Sequence, residues 1–240
     1  NYPFRKTVLD FLLNYVDGRQ AMRLLESLRE NYPKENFYVM MNLIGSHDVE
    51  RAITLLGEAP FYDGMPAIHQ SRFKLDAEHY KLGTDRLRLA ALLQMTYPGM
   101  PCIYYGDEIG MQGFRDPYNR SPYAWENPDA SLRDWYKKLI RLRNGHTALQ
   151  TGDLLPLAGE CGAPAKNEAF VVIINRSRTQ EEKVMLNVGD FLQGTLQEAL
   201  EGEERVQIQR GILTVKLAPL SARIYEAVQE ERRFSREAGI

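Results

Sequence analysis

The chain has 240 residues, 44% of them apolar and 26% charged, with a formal net charge of -2. Lys and Arg are scattered and no apolar stretch approaches the ~18 residues that cross a bilayer, so neither a nucleic-acid partner nor a membrane span is expected. The composition is that of a soluble globular chain, long enough for one large or two modest cores.

The sequence opens Asn1-Tyr2-Pro3-Phe4, with no methionine, charged leader or apolar signal core. It reads as a chain entered mid-protein and so carries no information on secretion. Asn1-Tyr2 is read as the end of a strand. Phe4, Val8, Phe11, Leu12 and Tyr15 recur at helical spacing, with Gly18 as the stop. Met22, Leu25 and Leu28 mark a second helix. The apolar run Phe37 to Leu43 predicts a strand buried on both faces, followed by the loop Gly45-Ser46-His47-Asp48 and a short helix from Glu50 to Leu56.

The stretch from Gly57 to Gly83 has weak periodicity and is expected to be mostly loop with some helix near its end, with Thr84 and Asp85 capping the next helix through Leu89, Leu92 and Leu93. Pro98-Gly99 breaks that helix. A second short strand follows, Pro101 to Tyr105, ending at Gly106-Asp107-Glu108. Leu132, Trp135, Tyr136, Leu139 and Ile140 predict a helix that Asn144-Gly145 ends.

Beyond residue 145 the pattern changes. Phe170 to Ile174 is a β-branched run, and Val184, Leu186, Val188 and Leu213, Val215, Leu217 alternate with polar neighbours, as do Ala222 and Ile224. This predicts antiparallel strands with one buried face, a small sandwich. The tail 229–240 is charged and expected to fray. Cys102 and Cys161 lie far apart without metal-ligand spacing and are read as free thiols. His69, His79 and His146 show no partner pattern.

Both strand-to-loop junctions place polar residues at C-terminal strand ends, where parallel β/α barrels keep their active sites. Asn42 to Arg51, NLIGSHDVER, resembles the strand-seven motif of the α-amylase superfamily, glycoside hydrolase family 13. Gly99 to Gly113, GMPCIYYGDEIGMQG, resembles its strand-eight motif. DPYNR followed by Trp125, Ser46 before His47-Asp48, and Arg51 three residues after Asp48 resemble its neopullulanase and cyclomaltodextrinase branch, as does the opening NYPF.

The resemblance implies a fold that is α/β plus all-β: the C-terminal part of a (β/α)8 TIM barrel over 1–145, from the end of strand six through helix eight, then an antiparallel β-sandwich domain over 146–228. It implies part of a retaining α-glucan hydrolase acting on malto-oligosaccharides, cyclodextrins or pullulan, with no cofactor and no metal. Asp48 matches the third family carboxylate, which binds sugar hydroxyls more tightly in the transition state. His47 would donate in the same subsite, and Asp116 and Arg120 would touch a more distant glucose.

Retaining hydrolysis needs two further carboxyl groups about 5–5.5 Å apart. The family motifs for both precede its strand six and do not occur here, so this chain alone is expected to be inactive, needing its other barrel half or self-associating at exposed sheet edges. The residues also admit plainer roles: Asp48 as a helix cap, Asp116–Arg120 as a surface ion pair, Tyr104, Tyr105 and Trp125 as packing groups. Asp107 and Glu108 are adjacent, which suits loop support better than acid/base work. A non-catalytic carbohydrate-binding or scaffold fragment stays open. A His-Asp metal phosphohydrolase would need further ligands that no motif supplies. Localisation is not written in the residues; the resemblance leans cytoplasmic.

Overall fold

The computed structural model describes residues 1–157, 160–165, 168–189, 192–202 and 204–227. The tail 229–240 lies outside the described residues, as does the side chain of Cys161; Cys102 is a free thiol.

Helix α1 spans Tyr2–Leu12. Asn1 is its N-cap rather than a strand residue: its side-chain oxygen accepts from the Phe4 amide at 3.2 Å, and Pro3 needs no partner in the first turn. The Asn1 main-chain nitrogen nonetheless donates to the Met41 carbonyl at 2.9 Å, so this residue borders the next strand. Phe4, Val8 and Leu12, four apart, face the core. The helix ends before Gly18. Asn14 takes the left-handed turn, with φ of 65°, and Gly18 instead starts α2 (Gly18–Asn31). Asp17 caps α2, accepting from the Gln20 amide at 2.7 Å.

The apolar run 37–43 is not one strand. Its front end closes the short helix α3 (Lys34–Phe37), and only Met41–Leu43 forms β1. Pro33 starts a helical turn, and Phe37 is buried as its last residue. Helix α4 (Ala52–Leu56) follows, then α5 (Ala67–Arg72), which buries no side chain and so left no periodic signal.

Helix α6 runs Ala77–Thr96, starting well before Thr84. Its cap is Asp76, which accepts from the His79 amide at 2.9 Å. His79 also finds a partner, its Nδ1 lying 2.9 Å from Asp76. Gly83 lies inside the helix: a Cβ there would sit 2.7 Å from the Ile53 carbonyl, so glycine lets α6 pack closely on α4. Strand β2 (Met100–Cys102) pairs parallel with β1, Asn42 opposite Pro101. Helices α7 (Ala130–Gly145) and α8 (Thr147–Thr151) follow, and α7 buries Leu132, Tyr136 and Leu139 as its spacing predicts.

The remaining strands are antiparallel. They are β3 (Leu155–Leu157), β4 (Glu160–Ala165), β5 (Glu168–Asn175), β6 (Glu182–Asn187), β7 (Thr195–Glu198), β8 (Arg205–Gln207), β9 (Ile212–Leu217) and β10 (Ser221–Ala227). Six form one sheet in the order β3-β4-β5-β10-β7-β8, and β6 pairs with β9 in another. Alternate residues of β5 serve two cores. Phe170 and Val172 join Ile224 of β10 against the helices, while Val171 and Ile173 join Tyr225 against Leu186, Leu213, Val215 and Leu217. Strands β5 and β10 are therefore covered on both faces, whereas β6 and β9 alternate as expected. Each fully buried Leu or Phe contributes about 1.5–3 kcal/mol, so the face shared with the helices joins the two halves firmly.

Candidate active site

Strand β1 is held by polar side chains that the apolar pattern does not reveal. Gln94 of α6 donates to the carbonyls of both Asn42 and Cys102, at 2.8 and 2.9 Å, tying β1 to β2. Asn42, buried, donates to the Pro98 carbonyl at 2.8 Å and accepts from the Asn1 amide at 2.8 Å. Past the strand, Arg5 donates to the Ile44 carbonyl at 2.8 Å. The chain then leaves the sheet as Gly45-Ser46-His47-Asp48.

The four residues singled out in the sequence fall into one cluster. His47 Nε2 lies 3.1 Å from Asp48 Oδ1, and Tyr2 donates its hydroxyl to Asp48 Oδ2 at 2.8 Å. Ser46 Oγ is 2.9 Å from the same Tyr2 hydroxyl and accepts the Asp48 amide at 3.1 Å. Arg120 pairs with Asp116 at 3.0 Å, and its Nε donates to the His47 carbonyl at 3.2 Å. Asp48 does not cap a helix: the N-cap of α4 is Arg51, with no side-chain bond. Asp116–Arg120 is an exposed i,i+4 ion pair and also the neighbour of His47.

Two further residues, Asn119 and Arg51, support this site from within the protein. Asn119, fully buried, donates to the carbonyls of His47 and Val49 at 2.8 and 2.7 Å. It thus fixes the backbone on both sides of Asp48. Arg51, 1% exposed, pairs with Asp107 at 3.3 Å and donates to the Tyr105 carbonyl. Its guanidinium carbon lies 4.3 and 4.7 Å from the ring centroids of Tyr104 and Tyr105, so these tyrosines serve Arg51. Trp125 is 81% exposed and stands 4.6 Å from the Tyr123 ring.

Burial pushes the Asp107 carboxyl up to about 7, with Arg51 pulling the other way. Asp48 and His47 are open to solvent. A carboxylate offers roughly four acceptor positions, so Asp48 keeps room for donors beyond Tyr2 and His47. The cluster is suited to gripping hydroxyl groups of a polyol. Among the described residues no three His, Cys, Asp or Glu side chains gather as for a metal ion, and no helix is long and apolar enough to cross a membrane.

Residues 1–131 match the family model for the α-amylase catalytic domain. An amylopullulanase of Thermoanaerobacter thermohydrosulfuricus is 41% identical over 165 residues, covering 64% of this chain and 11% of that protein. Neopullulanase 2 of Thermoactinomyces vulgaris is 33% identical over 236 residues, covering 93% of this chain and 36% of that protein. The solved structure of a cyclomaltodextrinase superposes with a TM-score of 0.76 at 26% identity, over 94% of this chain and 36% of that one. The chain thus spans little more than a third, or less, of these relatives. With its motifs in order and more than half its length matching the model, the chain belongs to the α-amylase family, glycoside hydrolase family 13.

Proposed function

We propose that this chain is the C-terminal part of a retaining α-glucan hydrolase. It supplies the last strands and helices of a (β/α)8 barrel over 1–145 and the β-sandwich domain that follows. Its substrates are malto-oligosaccharides, cyclodextrins or pullulan. The nucleophile and acid/base belong to the portion of the relatives that this chain does not span. Asp48 binds sugar hydroxyls at the cleavage subsite and does so more strongly as the ring distorts, His47 donates beside it, and Asp116 with Arg120 meets a glucose further along.

The observation that carries this reading is the Asp48 cluster itself: a solvent-facing carboxylate in the loop after β1, gripped by Tyr2, Ser46 and His47, with the loop pinned by buried Asn119. The exposed flank of the β1–β2 pair supports a partial barrel. Val39, Met41 and Met100 are exposed apolar residues where a closed barrel would cover them.

Hydrolysis of p-nitrophenyl α-maltoside by this purified chain, beside the complete protein, tests the division of labour. Turnover by the complete protein alone is expected. Turnover by the chain alone would place the missing carboxylates within it. Loss of maltotriose binding and turnover in both would leave a scaffold and no enzyme.

A further inference from the structure

The loop that carries Asp48 is gripped at both ends by one buried carboxylate. Asp107 opens the short 3-10 turn Asp107–Ile109 that follows β2 and is 2% exposed. Its Oδ1 meets Arg51 at 3.3 Å. Its Oδ2 lies against Gly45 so closely that a Cβ at Gly45 would sit 2.0 Å from it. Gly45 and Arg51 bracket the loop, and Asp48 lies three residues from each. The Arg51 amide donates to the Gly113 carbonyl at 2.9 Å, and the Asp107 amide to the Tyr104 carbonyl at 3.0 Å, so both partners have fixed main chains.

We infer that Asp107 is a positioning residue for Asp48: through Arg51 and the bare Cα of Gly45 it sets how far the loop stands above the ends of β1 and β2. The inference rests on the reading of Asp48 as the residue that binds the distorting sugar. A buried ion pair is a poor way to gain stability, because desolvation offsets its attraction and an apolar pair of similar volume does as well. It is a good way to fix a separation, since neither charge can drift without losing its partner. The groups around Asp107 agree: burial and then Glu108 disfavour its charge, while Arg51 and Arg5 favour it, and burial outweighs both cations. The carboxyl is thus held at a cost that the fold alone does not require.

The test is a double-mutant cycle in the complete protein. Asp107→Ala is expected to lower kcat by about 30-fold with KM changed less than about threefold, as for a catalytic group displaced by a fraction of an ångström. Asp107→Asn keeps the oxygen that accepts from Arg51 and should restore most of kcat. Gly45→Ala puts a methyl where Oδ2 stands and should also lower kcat, but in the Asp107→Ala background its further cost should fall below about threefold. Multiplying losses, or wild-type kcat in a cooperatively melting Asp107→Ala protein, would overturn the inference.

Asp48→Asn run alongside separates the two readings. If Asp48→Asn keeps full turnover, the functional assignment of Asp48 fails on its own. Amide exchange of residues 45–51 then decides the positioning role: faster exchange there in Asp107→Ala, with 130–145 unchanged, upholds it, and equal exchange overturns it.

Discussion

The Tyr2 hydroxyl lies 2.8 Å from Asp48 Oδ2, joining the first residue of α1 to the centre of the loop after β1. Asp48 is therefore aimed from a different element than the one that carries it. Removing the hydroxyl with Tyr2→Phe leaves the ring and frees the carboxylate. The contact is solvent-facing, so the loss should stay near 1 kcal/mol, roughly fivefold in kcat/KM of the complete protein on maltotriose, with an unchanged melting temperature.

Asn119 is the opposite case, buried and structural. Asn119→Ala strands the Val49 carbonyl, whereas His47 keeps its bond from Arg120. A urea titration should show a loss of about 2–3 kcal/mol, the cost of a buried acceptor left unmade. Asn119→Asp should cost more, because a carboxylate would face the same two carbonyls. Equal stability of either variant would mean that the loop does not depend on this amide.

Glu58 links the helices to the β sheets. It accepts from buried Arg86 at 2.8 Å and meets Arg178 at 3.2 Å. Burial alone would raise its carboxyl, but the hydrogen bond from Arg86 and the charge of Arg178 hold it below the ordinary value. Such a group adds stability above the ordinary carboxylate range and loses it as pH falls below about 4.5. Glu58→Gln should cost about 1–2 kcal/mol at pH 7, discounted because Glu58 is partly exposed, and should flatten the acid limb of the stability curve.

Asp107 has the reverse sign. Its folded value of about 7 lies above its unfolded value of 3.8, so the folded protein binds the extra proton between them. Its contribution to stability is complete below 3.8 and is lost as pH rises through about 7. Thermal melts from pH 4 to pH 8 should show this decline in the wild type and not in Asp107→Asn. A decline of equal size in the variant would assign it to another group.

The legible parts of the fold were those with one wet face. Strands β6 and β9 show alternation because solvent covers one side, and α7 shows a 3.6-residue stripe for the same reason. Helix α6 is buried around most of its girth, including Thr84, Arg86 and Gln94, so only the stripe of Leu89, Leu92 and Leu93 was legible, and the cap was placed at Thr84 and Asp85 instead of Asp76. In β10, Ile224 and Tyr225 are adjacent and both buried, because the strand lies between two cores. The candidate site divides in the same way. His47 and Asp48 stood out by motif and chain position, as did Asp116 and Arg120. Arg51 stood in the motif by its spacing from Asp48, and Asn119 lay within DPYNR, but both act through main-chain carbonyls whose position only the folded chain defines, so their supporting roles were not legible.

The measurement closest to the central claim is turnover of p-nitrophenyl α-maltoside by the complete protein with Asp48→Asn. The change keeps size and hydrogen-bonding shape and removes only the charge. A loss of about a hundredfold or more in kcat, with a cooperative melt retained, is the expected result for a group that stabilises the transition state. Near-normal turnover in that variant would contradict the assignment and leave the Asp48 cluster as a surface hydrogen-bond network without a part in catalysis.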